Sequence, residues 1–307
     1  MRFAPNEDQA AFLSVLDQMM EAPEAAWKAS PDWSRFDYSD GLDRTLEENG
    51  FFECANEPTL GLAAAAAMTY RLARSPALVE CAASSMLRSI FAPDLPRPIA
   101  VLDGDVSQAV PFLPTAKAVI RFDGDRIAVA RIEPGSVRSV ASLYAYPMGS
   151  LLPDADIRWE NIDGDAQQAR AVWSVATAAE LAGCLKGGLD AVVRHVTERH
   201  QFGRPLGSFQ AIQHRLAHTA TKVDAAYWLV LRAAQRRAPA DAALALGYVQ
   251  EASTRIVQDL HQFMGAMGLT LEHPLHRWTY RAKLLRSGLG GPTANLRAYY
   301  ARKWTNT

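Results

Sequence analysis

Cysteine is scarce in this chain: Cys54, Cys81 and Cys184 are three in 307 residues, odd in number, far apart and without the paired spacing of a metal site. That argues against a disulfide framework and makes a reducing cytoplasm the expected compartment. Net charge is lacking too. At −1 with histidine neutral, no whole-molecule field gathers nucleic acid or anionic membrane, so any anion site must be local. Nor is there a long apolar run. The longest, Leu62 to Met68, is mostly alanine and far short of the roughly 20 residues that a membrane span requires, so it reads as a closely packed helix. The amino terminus, with Arg2, Glu7 and Asp8, lacks the unbroken hydrophobic stretch of a secretion signal. Metal ligands are poorly grouped. All seven histidines follow residue 194, yet His214 and His218, spaced i to i+4, have no third ligand nearby and no His-Glu-x-x-His arrangement. No stretch interleaves basic and aromatic residues as nucleic-acid binding requires.

What is present is apolar mass. With 49% hydrophobic residues, a chain of 307 can build a substantial core as one large domain or as two to three coupled lobes. Residues 1–95 carry helical spacing, as in Phe12, Leu13, Leu16, Met19 and Met20, broken at Pro23, Pro31, Pro58 and Pro76. From 96 to 160 the texture changes. Two apolar runs, 118–122 and 127–132, flank Asp123-Gly124-Asp125 and predict a hairpin, while 98–102 and 142–146 supply further strands of a compact antiparallel sheet. Residues 165–307 return to helix. Val172, Val175, Leu181, Leu185, Leu189, Val192 and Val196 form one apolar stripe on a helix that would run on the order of 45 Å. Further helices are expected over 209–237, 241–267, 278–286 and 293–303, with Pro292 well placed to start the last. The predicted fold class is therefore mainly α with a small β lobe: an N-terminal helical lobe, a middle antiparallel β lobe and a C-terminal helical bundle.

Arg199-His200-Gln201-Phe202-Gly203-Arg204-Pro205, followed by residues 208–217, is the most informative stretch. It couples a basic, glycine-containing turn to a new amphipathic helix, where an arginine fork and free backbone N–H groups could hold a diphosphate. Such a turn between helices is also ordinary packing. Its wording resembles the flavin-contacting motif of the acyl-CoA dehydrogenase family, Arg-x-Gln-Phe-Gly-x-Pro, then Phe-Gln, then a Leu-Ala-rich helix. Gln262-Phe263-Met264-Gly265-Ala266-Met267-Gly268, with His273-Pro274-Leu275 and Arg277, resembles the family's Gln-x-x-Gly-Gly-x-Gly segment. Upstream, Asn6-Glu7-Asp8-Gln9 opening a helix and Leu46-Glu47-Glu48-Asn49-Gly50-Phe51 are similar to its amino-terminal helical domain.

The resemblance implies desaturation of a CoA thioester: a glutamate removes the proton alpha to the carbonyl while a hydride leaves the beta carbon for FAD. It also implies a cofactor held between subunits, one cupping the flavin ring and supplying the base, the neighbour reaching in to the diphosphate and adenosine. On that basis Arg199 would pair with the FAD diphosphate, Gln201 and Phe202 would lie beside it, Phe209 would sit near the adenine, and Gln262 with Gly265 would complete the phosphate side. Ala266 stands where the family pattern has a second glycine, which weakens the adenosine contact by one methyl group.

The other half of the site is missing from the sequence. Where the family carries its glutamate near the carboxy terminus, this chain reads Ser287-Gly288-Leu289-Gly290-Gly291-Pro292-Thr293. At the alternative place, early in the long helix, the equivalent position is Trp173, and Glu180 lies two turns on, about 10.5 Å away. The family's Thr-Glu-Pro-x-x-Gly-Ser-Asp segment and its Trp-Ile-Thr or Trp-Ile-Ser strand are absent between Pro98 and Pro153. The expectation is a subunit without a catalytic residue or metal of its own. It would share FAD with a homologous catalytic acyl-CoA dehydrogenase chain, in an α2β2 assembly of the kind acting on steroid side-chain thioesters, and would pass electrons to an electron-transfer flavoprotein or similar acceptor. A flavin monooxygenase on the same fold and a non-flavin structural homologue are the alternatives. Arg232, Arg236 and Arg237 read as a solvated helix end or a CoA-phosphate contact, the His273, His276 and Arg277 cluster as structural, and Tyr299, Tyr300 and Trp304 as interface or bundle packing.

Overall fold

The computed structural model describes residues 4–21 and 36–304; the breaks expected at Pro23 and Pro31 and the charge at Arg2 lie outside the described residues. Helix α1 (Glu7–Glu21) starts as the sequence implies. The Gln9 N–H donates to Asn6 Oδ1 at 2.7 Å and the Asn6 N–H donates to Gln9 Oε1 at 3.2 Å, a reciprocal cap that satisfies two otherwise orphaned donors. Both side chains also bond the carbonyls of Thr59 and Leu60, each at 2.8 Å. After α2 (Asp40–Glu48) and a 3-10 turn, α3 (Gly61–Arg74) carries the alanine run. A π-helical turn, Ala83–Arg88, leads into the short α4 (Ser89–Phe91).

The strands follow: β1 (Ile99–Asp103), β2 (Val110–Pro111), β3 (Ala118–Asp123), β4 (Arg126–Arg131), β5 (Val137–Val140), β6 (Met148–Leu151) and β7 (Glu160–Ile162). They form one sheet of order β1-β3-β4-β7 and a second of order β2-β6-β5. The hairpin β3–β4 pairs Asp123 with Arg126, and Gly124 in its two-residue loop takes φ +59°. Two expectations are corrected. The lobe is not wholly antiparallel, because β1 pairs with β3 in parallel; the hairpin fixes β3's other edge and leaves β1 to enter from the helical lobe. Residues 142–146 are a loop rather than a strand: Ala145 takes φ +58° and Tyr146 turns into the core, so pairing resumes only at Met148.

The remaining helices are α5 (Ala166–Glu198), α6 (Gln210–Arg236), α7 (Pro239–Met264), α8 (Leu275–Ser287) and α9 (Gly291–Trp304). Between α5 and α6 lie the two-residue strands β8 (His200–Gln201) and β9 (Arg204–Pro205). The Asp165 carboxylate caps α5 by accepting from the N–H groups of Gln167 and Gln168 at 2.9 and 3.1 Å. All seven residues of the predicted stripe are buried. The alanine run explains itself here: a Cβ on Gly183 would lie 2.3 Å from the Tyr70 carbonyl oxygen, and one on Gly187 2.5 Å from that of Arg74. Small residues on both helices let α3 and α5 approach backbone to backbone, and one apolar core continues through α1, α3, α5, α6, α7 and α8.

Candidate functional site

The Arg199–Pro205 segment is a miniature hairpin. Gln201 pairs with Arg204 and His200 with Pro205, leaving Phe202-Gly203 as a two-residue loop with φ of +56° and +79°. Two successive positive φ values are what a type I′ turn demands, and glycine accepts this freely. Phenylalanine does not, at a cost of about 1–2 kcal/mol. That strain is accompanied by outward display, because Phe202 is 87% exposed. Its ring meets Phe209 edge-on at 6.0 Å, and the Arg204 guanidinium lies 4.0 Å over the Phe209 ring. Arg199 is the C-cap of α5, and its N–H donates to the His195 carbonyl at 2.8 Å. Its carbonyl accepts from Leu206 at 2.8 Å, which closes the turn. The Arg199 guanidinium and the Gln201 amide are exposed and have no hydrogen-bond or ion-pair partner among the described residues.

The second motif lies at the end of α7. Gln262 is exposed, the helix stops at Met264, and Gly265 takes φ +63° and ψ −143° as the C-cap. A Cβ at Gly265 would meet nothing within 4 Å, so the backbone angle calls for glycine there, not lack of space. Ala266 is exposed in the following 3-10 turn, Gly265–Leu269. The two motifs share one end of the bundle. Arg215, early in α6, pairs with Asp259 and lies 4.7 Å over Phe263, next to Gln262. Burial holds the His273 imidazole below its ordinary value, and the nearby positive charges of His195, His276 and Arg194 add to this. His195 is likewise lowered by burial, then by Arg199. Arg199, Gln201, Phe202, Phe209, Gln262, Gly265 and Ala266 all fall toward this end, and exposed arginine and amide donors such as Arg199 and Gln201 are of the kind that suits a diphosphate.

Glu180 is in a different setting. It is 9% exposed and accepts a hydrogen bond from the Tyr146 hydroxyl at 2.8 Å. Burial pushes its carboxyl up, while the Tyr146 bond and the Arg281 charge pull it back. A cavity of about 10 Å³ beside it, with Arg281, Thr69 and Cys81 in its wall, has room for a single water. Phe112, at φ +63°, packs edge-on to Tyr146 at 5.3 Å and closes this region from the sheet side. Sequence reading missed the Tyr146–Glu180–Arg281 arrangement, because residues far apart in the chain carry no local signal of meeting. Trp173 is half-buried between the helical and sheet cores, and its carbonyl accepts from Thr177 at 2.9 Å. The Ser287–Thr293 stretch, which ends α8, makes a 3-10 turn and opens α9, is fixed by buried Gln250, whose amide donates to the carbonyls of Leu285 and Gly288, each at 2.9 Å.

The other candidates have structural explanations. Arg232 and Arg236 pair with Asp241 at 2.5 and 3.0 Å across the α6–α7 junction. His273 accepts the Leu275 N–H at 3.1 Å at the start of α8. Among the described residues no group of three His, Cys, Asp or Glu side chains could hold a metal ion, and no helix is long and apolar enough to cross a membrane.

A helical lobe, a small β lobe and a C-terminal helical bundle carrying these turns at its tip make up the acyl-CoA dehydrogenase fold. Residues 166–304, the α5–α9 bundle, match the family described as acyl-CoA dehydrogenase, C-terminal domain. It is 34% identical over 134 residues to acyl-CoA dehydrogenase IpdE2 of Mycolicibacterium smegmatis, a match covering 44% of this chain and 43% of that relative. The match thus spans less than half the length of that protein. Among solved structures, the ChsE4-ChsE5 complex from Mycobacterium tuberculosis superposes with a TM-score of 0.81 at 22% identity, over 100% of both chains. A variant of the Tcur3481-Tcur3483 steroid ACAD superposes at 0.74 and 23% identity, covering 95% of this chain and 96% of that one.

Proposed function

We propose that this chain is one subunit of a heteromeric, FAD-dependent acyl-CoA dehydrogenase, and that it contributes the diphosphate and adenosine half of a flavin site to a homologous catalytic chain. The observation that carries this reading is the exposed Arg199–Phe202 turn, which displays a strained, outward phenylalanine together with an arginine and a glutamine whose side chains have no hydrogen-bond or ion-pair partner among the described residues. Arg199 would hold the diphosphate, Gln201 and Phe202 would flank it, Phe209 would lie toward the adenine, and Gln262 with the backbone at Gly265 and Ala266 would complete the phosphate side. Held by these residues, FAD would supply the acceptor for the hydride leaving the beta carbon of the thioester.

The catalytic base would come from the partner, since Glu180 is spent on Tyr146 and buried. The reading takes residues 1–95, 96–160 and 165–307 as the helical, sheet and bundle units. It has an α2β2 assembly in the cytoplasm, an acyl-CoA of the steroid side-chain class bound mainly by the partner, and an electron-transfer flavoprotein or similar acceptor. The two heteromeric structural neighbours named above, one of them a steroid ACAD, support the assembly and substrate class by analogy of fold.

The test is flavin content, read from visible absorbance, of the chain purified alone and co-expressed with a homologous acyl-CoA dehydrogenase chain encoded beside it. A colourless lone chain that gives a yellow mixed oligomer, with about one FAD per pair of unlike chains, is the expected result. Stoichiometric FAD on the lone chain would overturn it.

A further inference from the structure

The two turns of the candidate site belong to different helices, and one side chain spans the gap between them. Phe209 is the N-cap of α6, and Arg215 stands six residues further on, about 9 Å along the axis. From there it reaches α7. Its Nη2 pairs with the Asp259 carboxylate, three residues before Gln262, and its guanidinium lies 4.7 Å over the ring of Phe263, the residue after Gln262. Arg215 thus touches α7 on both sides of exposed Gln262 in the chain.

Both ends of this link are anchored. Asp259 is 5% exposed and also accepts from the Thr219 hydroxyl of α6 at 3.4 Å. Phe263 is half-buried against the helical core. At the start of α6, Gln213 Nε2 donates to the Gly207 carbonyl at 2.8 Å, and the Arg204 guanidinium covers Phe209 at 4.0 Å, which ties the Arg199–Pro205 hairpin to the helix that carries Arg215.

Neutralising Asp259 does not by itself call for this arrangement. Arg255, one turn earlier on α7, offers a second guanidinium to the same carboxylate at 3.3 Å and is 61% exposed. That pair lies within one helix and joins nothing else. Arg215 Nε, by contrast, is buried with no hydrogen-bond partner, a cost that a simple counter-ion would relax by turning to solvent. What Arg215 adds is the connection between helices, and a planar guanidinium can stack on a ring while it holds a carboxylate, as an ammonium cannot.

We infer that Arg215 is a positioning residue for the diphosphate half of the flavin site: by joining Asp259 and the Phe263 ring to the first turns of α6, it sets the Gln262–Gly265 turn against the Arg199–Phe209 segment. The inference rests on the proposed cofactor role of those two segments and adds the residue that makes them one site. Groups carried on separate helices act on one ligand only when their relative placement is held to roughly 0.5 Å.

The experiment is FAD titration of the flavin-stripped mixed oligomer, read from visible absorbance, with Tm of the lone chain measured alongside. Arg215→Met should raise the Kd for FAD about tenfold through misplacement of the turn. Arg215→Lys should recover part of that loss, because it restores the charge without the stack. Phe263→Leu leaves every ion pair in place and should also raise the Kd. Arg255→Met removes the exposed partner of Asp259 and should leave the Kd within about twofold. The dependence of Kd on salt separates positioning from direct contact: Arg199→Ala should flatten it and Arg215→Met should not. Equal effects of Arg215→Met and Arg255→Met would reduce Arg215 to a stabilising ion pair and overturn the inference. So would a flattened salt dependence in Arg215→Met, which would put its charge on the diphosphate itself. An unchanged Kd in Arg215→Met, with binding weakened by Arg199→Ala, would overturn the inference and leave the cofactor reading standing. Unchanged binding in Arg199→Ala would remove that reading, and this inference with it.

Discussion

Tyr146→Phe tests whether Glu180 is a structural carboxyl or a catalytic one. The substitution removes the oxygen that donates to Glu180 Oε1 at 2.8 Å, in a core where Tyr146 is 3% and Glu180 9% exposed. A buried acceptor deprived of its donor costs about 1–3 kcal/mol. At roughly 2–4 °C per kcal/mol for a chain of this size, Tm should fall by about 2–12 °C. The loss should depend on pH in a definite direction. Burial raises the Glu180 carboxyl above its ordinary value and the Tyr146 bond opposes that rise, so the bond matters most to the ionised form. A carboxyl raised in the folded state contributes stability that is full below the unfolded value and lost as pH rises through the folded one. Removing the bond raises the folded value further, so the deficit should be larger at pH 8 than at pH 5. Glu180→Gln keeps an acceptor for Tyr146 and removes the ionisation, and should melt at or above the parent at pH 8. The assay is thermal unfolding of both variants at the two pH values, with turnover of the co-expressed complex alongside. A deficit for Tyr146→Phe that is absent, or greater at pH 5, would refute the assignment. So would loss of turnover in Glu180→Gln at unchanged Tm, which would make Glu180 a base.

The remaining predictions separate packing from display. Gly187→Ala places a Cβ 2.5 Å from both the Arg74 carbonyl oxygen and Trp278 Nε1; urea unfolding should show a loss of about 1–3 kcal/mol or more. Phe202→Ser, at a residue 87% exposed, should leave stability within about ±0.5 kcal/mol while lowering the flavin content of the mixed oligomer. Arg199→Ala should behave alike: Tm unchanged, flavin occupancy down, and the difference narrowing at high salt if the arginine acts through charge. Unchanged occupancy in both would remove the cross-interface role. Gln250→Ala strips the donors from the Leu285 and Gly288 carbonyls, so proteolysis within residues 285–295 should accelerate.

What sequence alone made legible was local. The long helix, the β3–β4 hairpin and the helix opening at Asn6–Gln9 each depend on neighbours within a few positions, where periodicity, Gly124 or a run of polar residues before the first apolar turn declares the structure. The Arg199–Pro205 turn was legible for the same reason, although the left-handed Phe202 within it was not, since nothing in its neighbours announces a strained residue. The 142–146 stretch misled because its apolar spacing looks like a strand. What decides it is Tyr146 reaching Glu180, 34 positions away. The parallel pairing of β1 was hidden in the same way, because its register with β3 is set across the connection from residue 103 to 118 and by the buried Glu80 carboxylate that accepts the Ile99 N–H at 3.2 Å.

This difference in legibility follows the difference between displayed and buried chemistry. A turn that reaches into another molecule must be built from its own backbone and keep its side chains unsatisfied, so its sequence is compact and its residues lack partners at home. A base or a flavin cup must be assembled from several elements, and each of its polar groups needs a neighbour to hold it. In this chain the groups packed between the sheet and α5 are given to one another: Tyr146 to Glu180, Phe112 to Tyr146, and Trp173 to both cores. Restoring a base by Trp173→Glu would therefore place a carboxylate among apolar neighbours with no donor provided. The expected outcome is a lower Tm that recovers as pH falls below the ordinary carboxylate range, with no gain in flavin bound by the lone chain. Tight FAD binding or desaturation by that single variant would mean that the cup is intact and lacks only its base.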